Sequence, residues 1–135
     1  MQTVCHVAML PHEQAKKYGS RTVFEYQDFG SETWKTVSWA DFSENVRRVS
    51  DALLCLGVGV QENIGVFSQN ALQYIYTDFG AFGIRAVTVP FYATSSENQL
   101  QYVINDAGIR FMFVGEQEQY DKARRVQALC GTLER

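Results

Sequence analysis

A chain of 135 residues, 46% hydrophobic and 20% charged, has the size and composition of one soluble globular domain with a real core. Its net charge of −3 argues against nucleic acid or an anionic membrane surface as main partner, since both are bound through basic excess. No apolar run approaches a membrane span, no signal-peptide pattern opens the chain, and three scattered cysteines (Cys5, Cys55, Cys130) without CxxC spacing suit a reducing cytoplasm.

In chain order, the first twenty residues predict a short helix over 10–17, closed by Gly19. A hairpin follows, with strands at Arg21–Tyr26 and Thr33–Val37 and the turn residues Asp28-Phe29-Gly30-Ser31 between them. Ser38 reads as an N-cap with Asp41 as its partner. Phe42, Val46, Val49, Leu53 and Leu56 then recur at helical spacing up to Gly57. From there strands and helices alternate. Asn63–Phe67 is an apolar strand, and Ser68-Gln69-Asn70 is expected to cap a helix that buries Leu72, Ile75, Tyr76, Phe79 and Phe82. The stretch AVTVPFYATSS begins with a strand at Ala86–Val89, where pairing should stop near Pro90 because proline cannot donate to a ladder. Ser96 caps the next helix, with Gln99 behind it, Leu100, Val103, Ile104 and Ala107 inward, and Gly108 as terminator. Arg110–Val114 is another strand and Glu116–Cys130 a final, more polar helix, while Thr132-Leu133-Glu134-Arg135 carries no strand pattern.

Short strands alternating with helices of about a dozen residues define an α/β chain: a mostly parallel, doubly wound sheet with helices on both faces, plus the N-terminal hairpin. No repeat, low-complexity tract or linker divides it, so residues 1–135 are expected to form one domain.

Legible chemistry is sparse. There is no GxxxxGK[ST], no GxGxxG after a strand and no GxSxG, and Gly57-Val58-Gly59 follows a helix and reads as a cap and turn. His6, His12 and Cys5 lie in a poorly patterned segment without metal-ligand spacing. Glu116, Glu118 and Asp106 fall at helix ends, where acidic residues serve as caps or solvated surface. The aromatics fall mostly at core positions, apart from Phe91 and Tyr92 after the proline.

The ordered constellation is more specific than any single motif. Val37-Ser38-Trp39-Ala40-Asp41-Phe42 leads into a helix ending Leu56-Gly57-Val58. Ile64-Gly65-Val66-Phe67-Ser68-Gln69-Asn70, Asp78-Phe79-Gly80-Ala81-Phe82, Ala86-Val87-Thr88-Val89-Pro90-Phe91-Tyr92 and Gln99-Leu100-Gln101-Tyr102-Val103-Ile104-Asn105-Asp106 follow in order. From about Lys17 to Val114 this resembles the N-terminal portion of AMP-forming acyl-CoA synthetases, especially long-chain fatty acid–CoA ligases. The segments S-W-x-x-F and A-V-x-V-P-x-Y are similar to the first two signature regions of that adenylate-forming superfamily. Two departures stand out: Arg85 where many relatives have glycine, and Tyr74 where many have tryptophan.

The resemblance implies a parent enzyme that uses ATP, Mg and coenzyme A. A fatty acid carboxylate attacks ATP to give an acyl-adenylate and pyrophosphate, and the coenzyme A thiol displaces AMP. By the same analogy Phe91, Tyr92 and Thr94 line the coenzyme A path, although aromatics there also fit simple packing against the rest of the enzyme. The phosphate loop with its lysine, the adenine and ribose motifs and the C-terminal catalytic lysine have no counterpart before Arg135. The chain is thus expected to hold no catalytic residue and no metal site, to be inactive alone and to bind no cofactor tightly. Its expected partner is the remainder of its own enzyme, in the cytoplasm and compatible with peripheral membrane contact by the parent. Separated from that remainder it is expected to self-associate through an exposed edge or apolar face. The alternative is a free-standing α/β binding or interaction module without catalysis.

Overall fold

The computed structural model describes residues 6–27 and 32–135. After a 3₁₀ turn at Val7–Met9, helix α1 spans Leu10–Tyr18, with Pro11 in its first turn and Gly19 (φ +47°) at its end. Strands β1 (Thr22–Gln27) and β2 (Trp34–Ser38) pair antiparallel, Glu25 opposite Thr36, with a register shift between Thr22 and Phe24. The predicted connecting turn at 28–31 lies outside the described residues.

Helix α2 (Trp39–Cys55) starts where its cap requires it. The Ser38 hydroxyl oxygen accepts from the Asp41 amide at 3.1 Å and the hydroxyl donates to the Asp41 carboxylate at 2.6 Å. Helix α3 (Leu72–Gly83) packs on α2 through small residues. A Cβ on Gly80 would fall 2.8 Å from Val49 Cβ, and the Ser50 hydroxyl donates to the Gly80 carbonyl at 2.8 Å. That close approach is why Thr77, Gly80 and Ala81 are the buried residues of α3, while Leu72, Ile75, Tyr76, Phe79 and Phe82 are only half-buried. Leu72, Ile75, Tyr76 and Phe79 pack around Phe42, Val37 and Val46 in a largely aromatic cluster, with Phe24 and Phe79 edge-on to Phe42 at 5.0 and 5.4 Å.

The parallel sheet contains β3 (Asn63–Phe67), β4 (Val87–Phe91) and β5 (Phe111–Val114) in the order β4-β3-β5. Gly65 lies opposite Val89 and Met112, and Phe67 opposite Phe91 and Val114. The pleat sends these residues to one face, where α4 (Glu97–Ala107) and α5 (Gln117–Gln127) bury Leu100, Ile104, Ile109 and Val126 against them. Ile64, Phe111 and Phe113 take the other face with Leu53, Ala81 and Ala86. Helices therefore cover both faces.

Three helices end in one way. The Val58 amide bonds the Leu53 carbonyl, Ala86 bonds Ala81 and Ile109 bonds Ile104, each at 2.9–3.0 Å. Each ending places a left-handed residue just before a buried apolar one: Gly57 (φ +80°), Arg85 (φ +63°) and Gly108 (φ +62°). Only α3 uses a side chain there.

Several expectations need correcting. The strand expected at Ala86–Val89 runs from Val87 to Phe91, so pairing ends just past the proline: Pro90 lies in register with Val66 and Phe91 with Phe67. The Val87 amide donates inward to Glu62, so alternation turns the Pro90 nitrogen to the outer edge, where no ladder bond is lost. Helix α3 is not capped by the 68–70 stretch; its N-cap is Ala71, without a side-chain cap bond. The Ser68 hydroxyl donates to the Gln69 carbonyl instead, and Ser68 presses so closely on Gly115 that a Cβ there would collide with it. Helix α5 ends at Gln127, short of Cys130, which is buried in the core beyond it. The last residues do pair: Met112 donates its amide to the Arg135 carbonyl at 2.8 Å.

Candidate functional site

Open parallel sheets collect ligands at the carboxyl ends of their strands. At the ends of β3 and β4 a cleft of about 470 Å³ is bordered by Ser68, Asn70, Tyr74, Pro90 and Tyr92. One wall is the segment after β3, set by its contact with Gly115, whose amide donates to the Phe67 carbonyl at 3.0 Å. The other is the turn after β4, closed by the Ser95 amide on the Tyr92 carbonyl at 2.8 Å. The capping box of α4 follows at once, with the Ser96 amide donating to Gln99 Oε1 at 2.9 Å.

The three residues singled out in this turn separate. Phe91 borders the cleft but is buried, its ring 6.2 Å from that of Phe67 in an edge-on pair. Tyr92 stands at the cleft with 86% of its surface exposed. Thr94 is exposed and is not among the cleft-lining residues.

Two residues not singled out hold the site. Gln119 of α5 is 2% exposed, and its Nε2 donates to the Ala93 carbonyl at 3.4 Å. Its Oε1 is buried without a partner among the described residues. The available signal was its spacing: Gln119 shares the apolar face of α5 with Ala123 and Val126, where a polar residue is out of place. Tyr74, read only as a departure from relatives, lines the cleft. Burial and then the Asp78 charge one turn away push its phenol up. Burial likewise raises the Asp78 carboxyl, opposed by a hydrogen bond from Thr88, and its Oδ1 is buried without a partner among the described residues.

The remaining candidates do not converge. His6 and His12 are exposed, Cys5 lies outside the described residues, and no group of three or more metal-ligating side chains forms among the described residues. Glu116, Glu118 and Asp106 are exposed, with Glu118 paired to Lys122 at 3.0 Å. The site thus supplies shape, a hydroxyl- and amide-bearing wall and an exposed tyrosine. It brings together no acid–base pair or nucleophile with its base.

A doubly covered parallel sheet with a cleft at the strand ends is shared by many α/β proteins, and comparison with known proteins selects among them. The chain belongs to the family of AMP-binding enzymes, whose pattern matches residues 11–135. The long-chain-fatty-acid–CoA ligase FadD15 of Mycobacterium tuberculosis is 30% identical over 108 residues, 80% of this chain but 18% of the ligase. An uncharacterised protein of the same organism is 31% identical over 90 residues, 67% of this chain and 51% of its own length. The crystal structure of a long-chain-fatty-acid–CoA ligase (FadD1) from Archaeoglobus fulgidus superposes with a TM-score of 0.84 at 22% identity, over 95% of this chain and 26% of that one. The chain therefore spans under a fifth of the curated ligases it matches.

Proposed function

We propose that this chain is the N-terminal part of a fatty acid–CoA ligase and is inactive by itself. The parent enzyme activates a fatty acid with ATP to an acyl-adenylate, releasing pyrophosphate, and passes the acyl group to the coenzyme A thiol with loss of AMP. The observation that carries this reading is the family match across residues 11–135 together with 30% identity to a long-chain ligase. Phosphate and Mg ligands, the adenine site and the catalytic lysine belong to the remainder of the enzyme, its proposed partner. No helix among the described residues is long and apolar enough to cross a membrane, and we place the parent in the cytoplasm.

In this scheme the 135 residues build one domain and one wall of the site. Tyr92 and Thr94, both exposed, lie on the coenzyme A path, and buried Phe91 fixes the turn that carries them. Separated from its partner, the chain self-associates through apolar surface such as Leu54 in the last turn of α2 and Leu56 and Val60 just past it. Light scattering that shows a monomer throughout the micromolar range rejects that part.

The deciding experiment joins the chain to the remaining domains of a long-chain ligase and measures fatty-acid-dependent ATP–pyrophosphate exchange. The joined protein is expected to catalyse exchange and the 135-residue chain to show none. A joined, folded protein that activates no fatty acid sinks the reading.

A further inference from the structure

The turn after β4 is anchored at both ends. Phe91 is laddered opposite Phe67 on one side, and the Ser96–Gln99 capping box fixes the start of α4 on the other. Between them the Ser95 amide closes on the Tyr92 carbonyl at 2.8 Å. Ala93 and Thr94 are the central residues, and neither lies at positive φ, which makes this a type I turn. Types I and II differ in the direction of the central peptide, here the one joining Ala93 to Thr94. Turning it over requires positive φ at the second central residue, a conformation that disfavours the β-branched side chain of Thr94.

Gln119 acts on that one peptide. From α5, 26 residues away in sequence, its Nε2 donates to the Ala93 carbonyl at 3.4 Å. Because the peptide is trans, the Thr94 amide points the opposite way, and it has no partner among the described residues. A second tie, from Arg125 to Glu97 at 2.7 Å, holds α5 to the first turn of α4. Packing does not account for a glutamine here. The residue is 2% exposed on the helix face that buries Ala123 and Val126, and its Oε1 is buried without a partner among the described residues. Leucine or methionine would carry no such cost. The tether is what the side-chain amide supplies.

We propose that Gln119 is a positioning residue for coenzyme A: it fixes the 93–94 peptide so that the unpaired Thr94 amide faces away from α5, on the side of the turn that carries exposed Tyr92. The proposal rests on the reading of this turn as part of the coenzyme A path, and it assigns control of that turn to α5. An outward N–H takes an oxygen acceptor, which coenzyme A carries in its amides and phosphates.

The test uses Gln119→Met, which keeps the volume and removes the donor. In the 135-residue chain it is expected to speed hydrogen exchange of the Ser95 amide by about fivefold, as loss of one net hydrogen bond gives. In the chain joined to the remaining domains of a ligase it is expected to raise KM for coenzyme A by about fivefold and to move KM for ATP far less. Ser95 exchange at the parental rate overturns the proposal. So do equal rises in the two KM values, which a general loosening of the fold would produce, and so does a parental KM for coenzyme A. Failure of the ligase reading is seen separately, as absence of ATP–pyrophosphate exchange in the unsubstituted joined protein.

Discussion

The Gln61 amide donates to the Arg85 carbonyl at 2.8 Å, and both residues lie in the left-handed region, at φ +62° and +63°. This bond joins the two loops that feed β3 and β4, and the next, from the Val87 amide to the Glu62 carbonyl at 2.9 Å, opens their ladder. Arg85 therefore occupies a turn position that sets strand register, in a conformation that Gly57 and Gly108 adopt at the equivalent ends of α2 and α4. Its side chain is exposed, which answers how an arginine is tolerated there.

Arg85→Gly is expected to stabilise the chain by about 1 kcal/mol, because it removes a side chain from a left-handed position. Urea unfolding checks this. Unchanged or lower stability would mean that the exposed guanidinium or the entropy lost in the unfolded chain outweighs the strain.

Gly80→Ala tests the α2–α3 approach. The new methyl would overlap Val49, so the helices must separate at a cost of about 1–3 kcal/mol. Gly57→Ala meets no atom within 4 Å and reports backbone strain alone. A Gly80→Ala protein as stable as the parent would show that the contact is soft.

Gln119 separates packing from positioning. Gln119→Leu removes both the bond to the Ala93 carbonyl and the orphaned Oε1, so the net change should stay within about 1 kcal/mol. Freed of its tether, the turn at 92–94 should exchange amide hydrogens faster than in the parent. Unaltered exchange in that turn would assign Gln119 to packing only.

Two carboxyls give opposite pH dependence. The hydrogen bond from Arg110 holds Glu134 below the usual carboxylate range, so its contribution is present above that range and lost as pH falls through the lowered value. Burial raises Asp78, so the stability its protonated form supplies is present below the ordinary range and lost as pH rises through the raised value. Asp78→Asn is accordingly expected to flatten the loss on the rising side and to increase stability at neutral pH. Glu134→Gln should remove the acid-side dependence of tail protection, read as exchange at the Met112 amide.

Where the signal was local, sequence and structure agree residue by residue. Ser38 and Ser96 cap their helices, Gly57 and Gly108 end them, and Asn63–Phe67 is a strand, because each depends on chemistry within four or five neighbours. The cleft was legible only as a place. Pro90 and the hydroxyl-rich turn marked the end of β4, but nothing local showed that Ser68 to Asn70 and Tyr74 share that space. Ser68 had the composition of a cap and became instead the neighbour of Gly115, 47 residues away in sequence, a contact only packing creates.

By itself the sequence determined the alternation of strands and helices, the caps and glycine ends of α2 and α4, and the family, since periodicity, caps and ordered motifs are carried by nearest neighbours. Tertiary structure decided the rest. It placed β3 in the centre, so that Pro90 could stay paired on an edge. It buried Gln119 under the turn and set Arg135 beside Phe111. Each of these depends on which backbone groups meet across the sheet, and that pairing is fixed by long-range packing rather than by residue type.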